Sequence, residues 1–384
     1  MERLFIGFIS VSLPDLIMIL VGLILIWLAI TKGYEPLLLL PIGFGAILVN
    51  LPLSVAYEHD GVAGFLKILF DAGINTELFP ILIFIAVGAM CDFEPMFKMP
   101  VMMFFGAAAQ FGIFLTVLAA IGLGKLFPSL GFDLPTSATI GIIGAADGPT
   151  AIYVATKFAQ KLLGPISVAA YSYMSLVPLI QPPVIRALTT KKERTIKMKP
   201  DEKEVPRALR ISFPIVVTIV SGFVAPMSVP LIGSLMFGNL IRECGVLDKL
   251  SKAAQNELSN LVTLLLGITI GASMRADAFL QWQTLIILGL GLAAFVFDTA
   301  GGVLFAKFLN LFLPHNKKIN PMVGAAGISA FPMSARVIQK MAMEEDGFTF
   351  VLMQAVSANV SGQLGSVMAG GIVLAIVPIL MGWI

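Results

Sequence analysis

The stretch Gly141-Ile-Ile-Gly-Ala-Ala-Asp-Gly-Pro149 recurs 183 residues later, without gaps, as Gly324-Ala-Ala-Gly-Ile-Ser-Ala-Phe-Pro332. Glycine and proline do not continue a helix smoothly, so each copy should be a break between two half-helices. Apart from Asp147, both copies lie in uncharged sequence. Unwound backbone in a bilayer is tolerated only where it is buried in protein or lines a wet cavity. The two copies therefore predict two broken-helix hairpins inside a membrane protein.

The composition also indicates a protein that crosses a membrane many times. Charged residues make up only 12% of the 384 positions, whereas soluble domains carry roughly a quarter. Nine of the 25 basic residues fall between 186 and 210, and the net charge is +2. No basic face for nucleic acid is left outside that segment. Two cysteines, Cys91 and Cys244, are too few for a disulfide framework or a metal cluster.

Uncharged windows locate the membrane segments, because a crossing helix needs about 20 apolar residues. They are 16–31, 36–57, 78–91, 99–124, 134–146, 162–185, 211–241, 258–274, 278–297, 319–335 and 347–384. The last window would extend about 57 Å as one helix, so we expect a break near Gly362, Gly365 or Gly370. We predict an all-α polytopic membrane protein with about eleven membrane segments, not all of which span fully.

The offset of 183 also aligns 82–89 with 265–272, with four identities in eight positions. A shared register indicates two copies of one unit. We predict an extra N-terminal span (1–35), a first repeat (36–190) with its hairpin around 134–160, a basic linker (191–212) and a second repeat (213–384) with its hairpin around 319–343. If each unit crosses the membrane an odd number of times, the repeats are inverted, as in many secondary transporters.

The basic segment 186–210 predicts the orientation, since the positive-inside rule places it in the cytoplasm. It could also dock a soluble partner, or it could determine topology alone. The window 16–31 has no small-residue cleavage site after it and is expected to be an uncleaved first span of a multi-pass cell-membrane protein.

Asp147 is the sharpest functional signal in the chain. A carboxylate inside apolar sequence costs at least about 2.5 kcal/mol to insert and is by default an ion, proton or substrate site. An aspartate before Gly-Pro could instead cap the half-helix that starts at Pro149. A serine or asparagine would cap as well at a lower desolvation cost, which favours a functional carboxylate.

The second copy has Ala330 in place of Asp147, with Ser329 just before it and Arg336 six residues after it. Arg336 could pair with Asp147 or bind a substrate carboxylate, or it could be an arginine that snorkels from a helix end. Neutral oxygens from Asn320, Ser329 and the backbone near Gly324, together with one carboxylate, suit Na⁺. Alternatively, Asn320 could cap the helix that starts at Pro321.

Other polar groups occur inside apolar windows. Tyr171 and Tyr173 could hold or relay a proton near a carboxylate, or belong to an interfacial belt. Asp298 is a second candidate cation ligand, and Gln181 and Asn359 are further intramembrane polar residues. No Walker loop or Gly-x-Ser-x-Gly elbow is present, and His59 and His315 are isolated. The energy must come from a gradient or from a reaction on another chain.

Five stretches together are highly specific: 144–150, 170–183, 188–194, 238–245 and 320–332. With them, nearly the whole chain resembles the membrane β subunits of the sodium-translocating biotin-dependent decarboxylases, which act on oxaloacetate, methylmalonyl-CoA, glutaconyl-CoA or malonate. The resemblance implies a subunit that decarboxylates carboxybiotin carried by a partner, consumes a proton drawn from outside, and exports Na⁺.

The resemblance also implies roles for six residues. The catalytic residues would be Asp147, Tyr173 and Arg336; the substrate-binding residues Arg336, Ser329 and Asn320; and the Na⁺ ligands Asp147, Asn320, Gly324 and Ser329. The chain has no biotin attachment site, because the lysines around Met198 lie in a charged linker and lack the Ala-Met-Lys-Met setting. It implies a separate biotin carboxyl carrier protein, a carboxyltransferase subunit, a small single-span membrane subunit and a homo-oligomer within the complex.

Two points remain open at this stage. The chain is shorter than the oxaloacetate-type subunits and closer in length to the acyl-CoA or malonate types, so the acid consumed upstream is undecided. A secondary carrier that exchanges a carboxylate solute for Na⁺ or H⁺ would share the inverted repeats and the hairpins. A purely scaffolding membrane anchor fits poorly with Asp147 and Arg336 inside apolar stretches.

Overall fold

A computed structural model of the chain describes residues 10–33, 36–198, 204–314 and 317–383. The linker residues 199–203 and His315 therefore lie outside the described residues. Helices dominate this part of the chain, and the strands within it, β1 (Glu58–His59) and β2 (Val62–Ala63), form one short antiparallel hairpin.

The helices divide into a first half before the linker and a second half after it. The first half has α1 (Leu13–Lys32), α2 (Pro36–Val49), α3 (Phe65–Leu69), α4 (Leu78–Met90), α5 (Glu94–Lys98), α6 (Met103–Ala109), α7 (Phe111–Leu126), α8 (Leu134–Ile142), α9 (Gly148–Phe158), α10 (Leu163–Ser175), α11 (Val177–Leu188) and α12 (Lys191–Arg194). The second half has α13 (Arg207–Val224), α14 (Val229–Glu243), α15 (Asp248–Ala253), α16 (Ser259–Ala272), α17 (Ala276–Phe279), α18 (Trp282–Phe312), α19 (Pro321–Ala325), α20 (Met333–Asp346) and α21 (Leu352–Leu380). Single π-helical turns follow α3 (Phe70–Asn75) and α15 (Ala254–Leu258).

Five helical stretches are long and apolar enough to cross a membrane: Leu13–Lys32, Pro100–Leu126, Arg207–Val224, Trp282–Phe312 and Leu352–Leu380. Two bent pairs bring the number to seven: Phe65–Asn75 with Leu78–Met90, and Gln160–Met174 with Val177–Leu188. The all-α polytopic fold is confirmed, whereas the count of eleven segments and the domain boundaries stay predictions.

The break expected inside the last apolar window is wrong. Residues 347–351 are not helical, and α21 then runs without interruption through Gly362, Gly365 and Gly370. These glycines are packing positions in an intact helix. A Cβ on Gly362 would lie 2.2 Å from the carbonyl oxygen of Gly327, so the absence of a side chain lets α21 reach the second broken hairpin.

The two halves contain matching helices, and helices of one half pack against helices of the other. Helix α2 of the first half packs on α16, and α14 of the second half packs on α4. A Cβ on Gly45 would lie 2.3 Å from the carbonyl oxygen of Ile268, and one on Gly238 would lie 2.0 Å from that of Ile85. Close approach through small residues is the usual way in which helices associate in membranes, and here the two contacts mirror each other.

We call α8 with α9 the first hairpin and α19 with α20 the second hairpin. Short-range sequence signals determine where three of these four helices start. Asp133, Asp147 and Asn320 are the N-caps of α8, α9 and α19, and each cap accepts a hydrogen bond from a main-chain N–H two or three residues on. A proline follows each cap within two residues, where its missing N–H costs nothing. A polar cap before a proline therefore starts α8 and α19, and in the first hairpin it also restarts the helix after the break, at α9.

The second hairpin opens toward the face of the molecule that carries the linker, here called the linker face. Arg210, near the end of the linker, lies 3.1 Å from Glu94, so the end of α4 is on this face. Asn320, at the open end of the second hairpin, donates through Nδ2 to the carbonyl oxygens of Arg194 (2.8 Å) and Ile196 (3.1 Å) in the linker.

The first hairpin opens toward the other face. Lys157, near its open end, pairs with Glu77 at 2.7 Å. Glu77 precedes α4, whose 13 residues place it about 20 Å of helix away from the linker face. Two matching hairpins that enter from opposite faces are what inverted repeats require, so the predicted inverted architecture is confirmed.

Candidate functional site

The tips of the two hairpins meet in the interior of the molecule. The main-chain N–H of Ser329 donates to the carbonyl oxygen of Ala145 at 3.1 Å. Each tip also packs on a long helical segment of the opposite half: a Cβ on Gly144 would lie 2.5 Å from Cβ of Ala294, and one on Gly327 would lie 2.4 Å from the carbonyl oxygen of Phe105. The meeting point is therefore held by both halves together.

Asp147 lies at this meeting point and is 4% exposed. Its Oδ2 accepts hydrogen bonds from Thr150 Oγ1 (2.6 Å), Ser366 Oγ (2.7 Å) and Gln363 Nε2 (3.3 Å). Its Oδ1 also accepts from the N–H of Thr150 at 3.4 Å. The carboxylate thus caps α9, and it is also the centre of a polar cluster that a cap does not need.

Ser329 joins this cluster from the second hairpin. Its hydroxyl donates to Gln363 Oε1 at 2.9 Å, and Gln363 donates in turn to Asp147, so Ser329 is connected to the carboxylate through the glutamine. We call Asp147, Thr150, Ser329, Gln363 and Ser366 the oxygen cluster. It combines one carboxylate with three hydroxyls and one amide from both halves of the chain.

Oxygen ligands of this kind suit a hard cation of low charge. A single carboxylate balances the charge of one monovalent ion, which matters because unpaired charge is expensive inside a membrane. In the part of the chain that the structure describes, no group of three His, Cys, Asp or Glu residues lies together. The oxygen cluster therefore has the ligand chemistry that suits a monovalent cation such as Na⁺.

A cavity of about 230 Å³ reaches the oxygen cluster. Its walls include the starts of α2 and α16, with Leu38 and Thr263, and the end of α4, with Met90. The start of α16 and the end of α4 lie near the linker face, because Glu243, which ends α14, lies 3.5 Å from Arg210 and α16 follows soon after. The cavity therefore joins the linker face to Asp147.

The structure places the other predicted second-hairpin residues away from Asp147. Asn320 caps α19 and bonds to the linker. Gly324 packs against α18, where its Cβ would lie 2.1 Å from the carbonyl oxygen of Gly302. Helix α19 has five residues, about 7.5 Å of length, and this separates Asn320 from the tip. Of the four predicted Na⁺ ligands, Asp147 and Ser329 are brought together, and the roles of Asn320 and Gly324 stay predictions.

Arg336 is exposed on α20 and forms no hydrogen bond or ion pair through its side chain with the described residues. It stands one helical turn after Pro332, which lines the cavity. Among the described residues the guanidinium is thus unpaired, one helical turn from a residue of the cavity wall, and it is not an ion-pair partner of Asp147.

The two tyrosines of α10 differ. The Tyr173 hydroxyl donates to the main-chain oxygen of Leu288 in α18, so it is already occupied. Tyr171 lines the cavity together with Asp147, and its ring packs on the first hairpin, where a Cβ on Gly148 would lie 2.3 Å from Cε1 of the ring.

Asp298, the second candidate cation ligand, has a structural partner. Its Oδ1 accepts the N–H of Ile113 at 3.1 Å, at the start of α7, while Oδ2 is buried without a hydrogen-bond partner among the described residues. It therefore caps the break between α6 and α7 from the opposite half. Asn359 Nδ2 donates to Ile328 at 2.7 Å and Gln181 Nε2 to Ala325 at 2.8 Å, both through main-chain oxygens, and both side chains hold the second tip.

The match to known families agrees with this geometry. The family model of the Na⁺-transporting oxaloacetate decarboxylase β subunit matches residues 14–377. The chain belongs to this family. The resemblance predicted from the five stretches is confirmed, and with it the assignment as a membrane subunit of a sodium-transporting decarboxylase. Membership also implies sodium, biotin carried by a partner, and further subunits of a complex.

The chain is similar to a nearly equal degree to relatives that act in three different decarboxylases. The chain is 45% identical to the oxaloacetate decarboxylase β chain of Klebsiella pneumoniae over 420 residues, with 96% of each chain covered. It is 46% identical to the methylmalonyl-CoA decarboxylase β subunit of Propionigenium modestum over 391 residues, with 96% of each covered. It is 48% identical to the glutaconyl-CoA decarboxylase β subunit of Acidaminococcus fermentans over 371 residues, covering 97% of this chain and 95% of the relative.

Sequence analysis missed three members of the oxygen cluster. Thr150 follows Asp147 by three residues, as a partner of a capping aspartate does. Gln363 and Ser366 lie on α21 in one stripe with Asn359, at spacings of four and three residues. A polar stripe at helical spacing inside an apolar window was the signal that could have revealed them.

Proposed function

We propose that the oxygen cluster binds the transported Na⁺ and that the adjacent cavity is where carboxybiotin loses CO₂. The observation that carries this proposal is the position of Asp147, a buried carboxylate at the inner end of a cavity from the linker face. Its neighbours come from both hairpins and from α21. A site made by both halves can change its affinity when the halves move relative to each other.

In the proposed site Asp147 supplies the charge, and Thr150, Ser329, Ser366 and the Gln363 amide supply neutral oxygens. Hydroxyls both donate and accept, so the groups that now donate to Asp147 can turn their lone pairs toward a cation. Asn320 and Gly324, predicted as further ligands, would reach the ion only after a movement of the second hairpin.

The proposed coupling is electrostatic. Carboxybiotin approaches along the cavity, and the unpaired Arg336 guanidinium attracts its carboxylate. Loss of CO₂ leaves an anion that takes up a proton. A proton that reaches Asp147 neutralises the carboxylate, which then holds Na⁺ less well, and the ion leaves toward the opposite face. Delivery of a proton through Tyr173 stays a prediction.

The remaining assignments follow from the family and are proposals for this chain. The linker face is the cytoplasmic one. A biotin carboxyl carrier protein and a carboxyltransferase dock there, and a small single-span subunit and further copies of the chain complete the complex without nucleic acid. The alignment with the oxaloacetate-type relative has 420 positions, more than the 384 residues of this chain, so it contains gaps. The alignment with the glutaconyl-CoA type has 371 positions. The closer agreement in length with that type supports an acyl-CoA as the acid consumed upstream.

The experiment is replacement of Asp147 by Asn in the whole complex. Asn caps a helix as well as Asp does, so the change removes the charge and keeps the fold. We expect Na⁺-dependent decarboxylation and Na⁺ uptake into inverted vesicles both to fall to background. The matched control is Asp133→Asn, since Asp133 caps α8 in the same hairpin with a bond of 2.9 Å to the N–H of Thr136. Retained coupling in Asp147→Asn would refute the proposed role.

A further inference from the structure

The turn between α20 and α21, at the open end of the second hairpin, displays an aromatic side chain. Phe348 in this turn is 81% exposed. The turn is well fixed, because the main-chain N–H groups of Phe348 and Thr349 donate to Asp346 Oδ1 at 2.9 and 2.7 Å, and Thr349 Oγ1 donates to Asp346 Oδ2 at 2.8 Å. Thr349 and Val351 are fully buried. The exposure of the Phe348 ring is therefore set by a hydrogen-bonded turn with buried anchors on one side of it.

The exposed side of α20 leads from the cavity to this ring. Pro332, directly before α20, lines the cavity. Arg336, Lys340 and Met343 follow on one side of the helix, at spacings of four and three residues, and all three are exposed. We call Arg336, Lys340, Met343 and Phe348 the α20 stripe. From Arg336 to the end of α20 it is about 15 Å long.

The α20 stripe faces water. Glu344, on the same side of the helix, is also exposed and pairs with Arg186 at 3.3 Å. Charged side chains at successive turns of a helix are expensive in hydrocarbon. Met343 (47% exposed), Phe348 and Phe350 (58% exposed) lie beside these charges. Aromatic residues, methionine and arginine together are typical of a surface that binds another protein.

The α20 stripe is also positively charged. Lys340 has no ion-pair partner among the described residues, and Arg336 is unpaired as well. The acids at the end of the helix are neutralised instead, as Glu345 is by Arg194 at 2.6 Å. Lys197 of the linker adds a further positive charge, with Nζ 5.8 Å from the centre of the exposed ring. Such a surface complements an acidic partner.

We propose that the α20 stripe is the docking surface of the protein domain that delivers the carboxylated prosthetic group, and that this domain presents carboxylates around an apolar spot. The inference rests on the proposed function and deepens it, because it names the contact through which the substrate arrives. A group on a lysine arm reaches ahead of the domain that carries it. The domain therefore binds outside the cavity, on the stripe, while the group enters past Pro332.

The test measures decarboxylation by the full chain, held in vesicles with its membrane partners, at increasing concentrations of carboxylated carrier. The variant is Lys340→Glu with Phe348→Ser. We expect the carrier concentration for half-maximal rate to rise about 10-fold or more, because charge reversal and loss of an aromatic anchor both weaken an interface. The maximal rate should be kept. Decarboxylation of free carboxybiotin, which needs no docking, should be unchanged.

The control is Phe312→Ser with Lys317→Glu. Phe312 is 73% exposed, and Lys317 is exposed as well. Both follow Lys307, which pairs with Glu193 of the linker at 3.2 Å, so they lie on the linker face away from the α20 stripe. This control should leave the carrier dependence within a factor of two. An unchanged carrier dependence in the α20 variant, or an equal loss with free carboxybiotin, would overturn the assignment.

Two lipid compositions separate a protein partner from a membrane surface, because basic and aromatic side chains also bind anionic lipid. The effect of the α20 variant should be equally large in neutral vesicles and in vesicles with added anionic lipid. An effect confined to the anionic vesicles would assign the stripe to the lipid surface and refute the proposal. Asp147→Asn loses decarboxylation of free carboxybiotin as well, so failure of the proposed function is distinguishable.

Direct contact is tested with a photo-reactive benzophenone side chain in place of Phe348 in the complete complex. Irradiation should join the chain to the carrier subunit, and the same side chain in place of Phe312 should not. Cross-links from position 348 that reach only lipid or other subunits would rule out docking of the carrier there.

Discussion

The first and second hairpins share a sequence pattern, yet they are built for different tasks. In the first, Asp147 faces a cavity and gathers hydroxyls. In the second, Ala330 takes its place, and Gln181 and Ser334 bond to each other and to the Ala325 carbonyl oxygen. The first tip therefore carries a charge beside the cavity, whereas the second tip contributes the neutral Ser329 and is held by neutral hydrogen bonds.

The open ends of the hairpins differ in the same sense. The second hairpin is tied to the linker through Asn320 and through an ion pair between Arg194 and Glu345 at 2.6 Å, with both side chains 13% exposed. The first is tied through Lys157 and Glu77, where Lys157 is 38% exposed. The linker is therefore a structural clamp on the second hairpin in addition to any role in topology.

The largest expected effect comes from moving the charge between the tips. The double variant Asp147→Asn with Ala330→Asp should remain at background Na⁺ transport, because Thr150, Gln363 and Ser366 are arranged around position 147. The measurement is Na⁺ uptake into inverted vesicles against the Asp147→Asn parent. Recovery of transport would show that the two tips are interchangeable and would break the comparison.

The next effect concerns packing of the tips. Gly327→Ala should destabilise the protein by about 1–3 kcal/mol, because the new Cβ would lie 2.4 Å from a main-chain oxygen, that of Phe105. Gly144→Ala meets Cβ of Ala294 at 2.5 Å, an atom fixed to the main chain, and should cost a similar amount. The midpoint of unfolding in detergent compares both variants with the unaltered protein, and an unchanged midpoint in either variant would contradict the packing account.

A smaller effect is expected at the open ends. Arg194→Ala removes the ion pair with Glu345 and a bond to the Thr189 carbonyl oxygen at 2.7 Å, and should cost about 2 kcal/mol. Lys157→Ala removes a more exposed pair and should cost at most about 1 kcal/mol. The same unfolding assay, with limited proteolysis of the linker, measures both. Equal losses would mean that the linker does not clamp the second hairpin.

The smallest expected effect separates ligands from bystanders on α21. Ser366→Ala should raise the Na⁺ concentration for half-maximal activity about five-fold, equivalent to about 1 kcal/mol for one hydrogen-bonding group. Ser361→Ala is the matched control, since within the described part of the chain its hydroxyl bonds to the Ser357 carbonyl oxygen in the same helix and not to the oxygen cluster. An unchanged Na⁺ dependence in Ser366→Ala would remove that residue from the site.

Local chemistry explains how much of the fold could be predicted. The low charge content, the Gly and Pro pairs at a fixed offset, and the caps before prolines each act through neighbouring residues, so they are visible in the sequence. The inversion of the repeats and the prediction that Asp147 is a functional carboxylate followed from them. The break expected in α21 was wrong, because whether a glycine interrupts a helix depends on what packs against it, here Gly327.

The sequence by itself determined that the chain lies in a membrane, that it is duplicated, and that a costly carboxylate sits at one break, since each of these is a property of composition or of short-range order. Only the tertiary structure decided which oxygens surround that carboxylate and which tyrosine faces the cavity. Gln363 and Ser366 lie more than 200 positions from Asp147, and contacts at such separations depend on helix packing that no local pattern records.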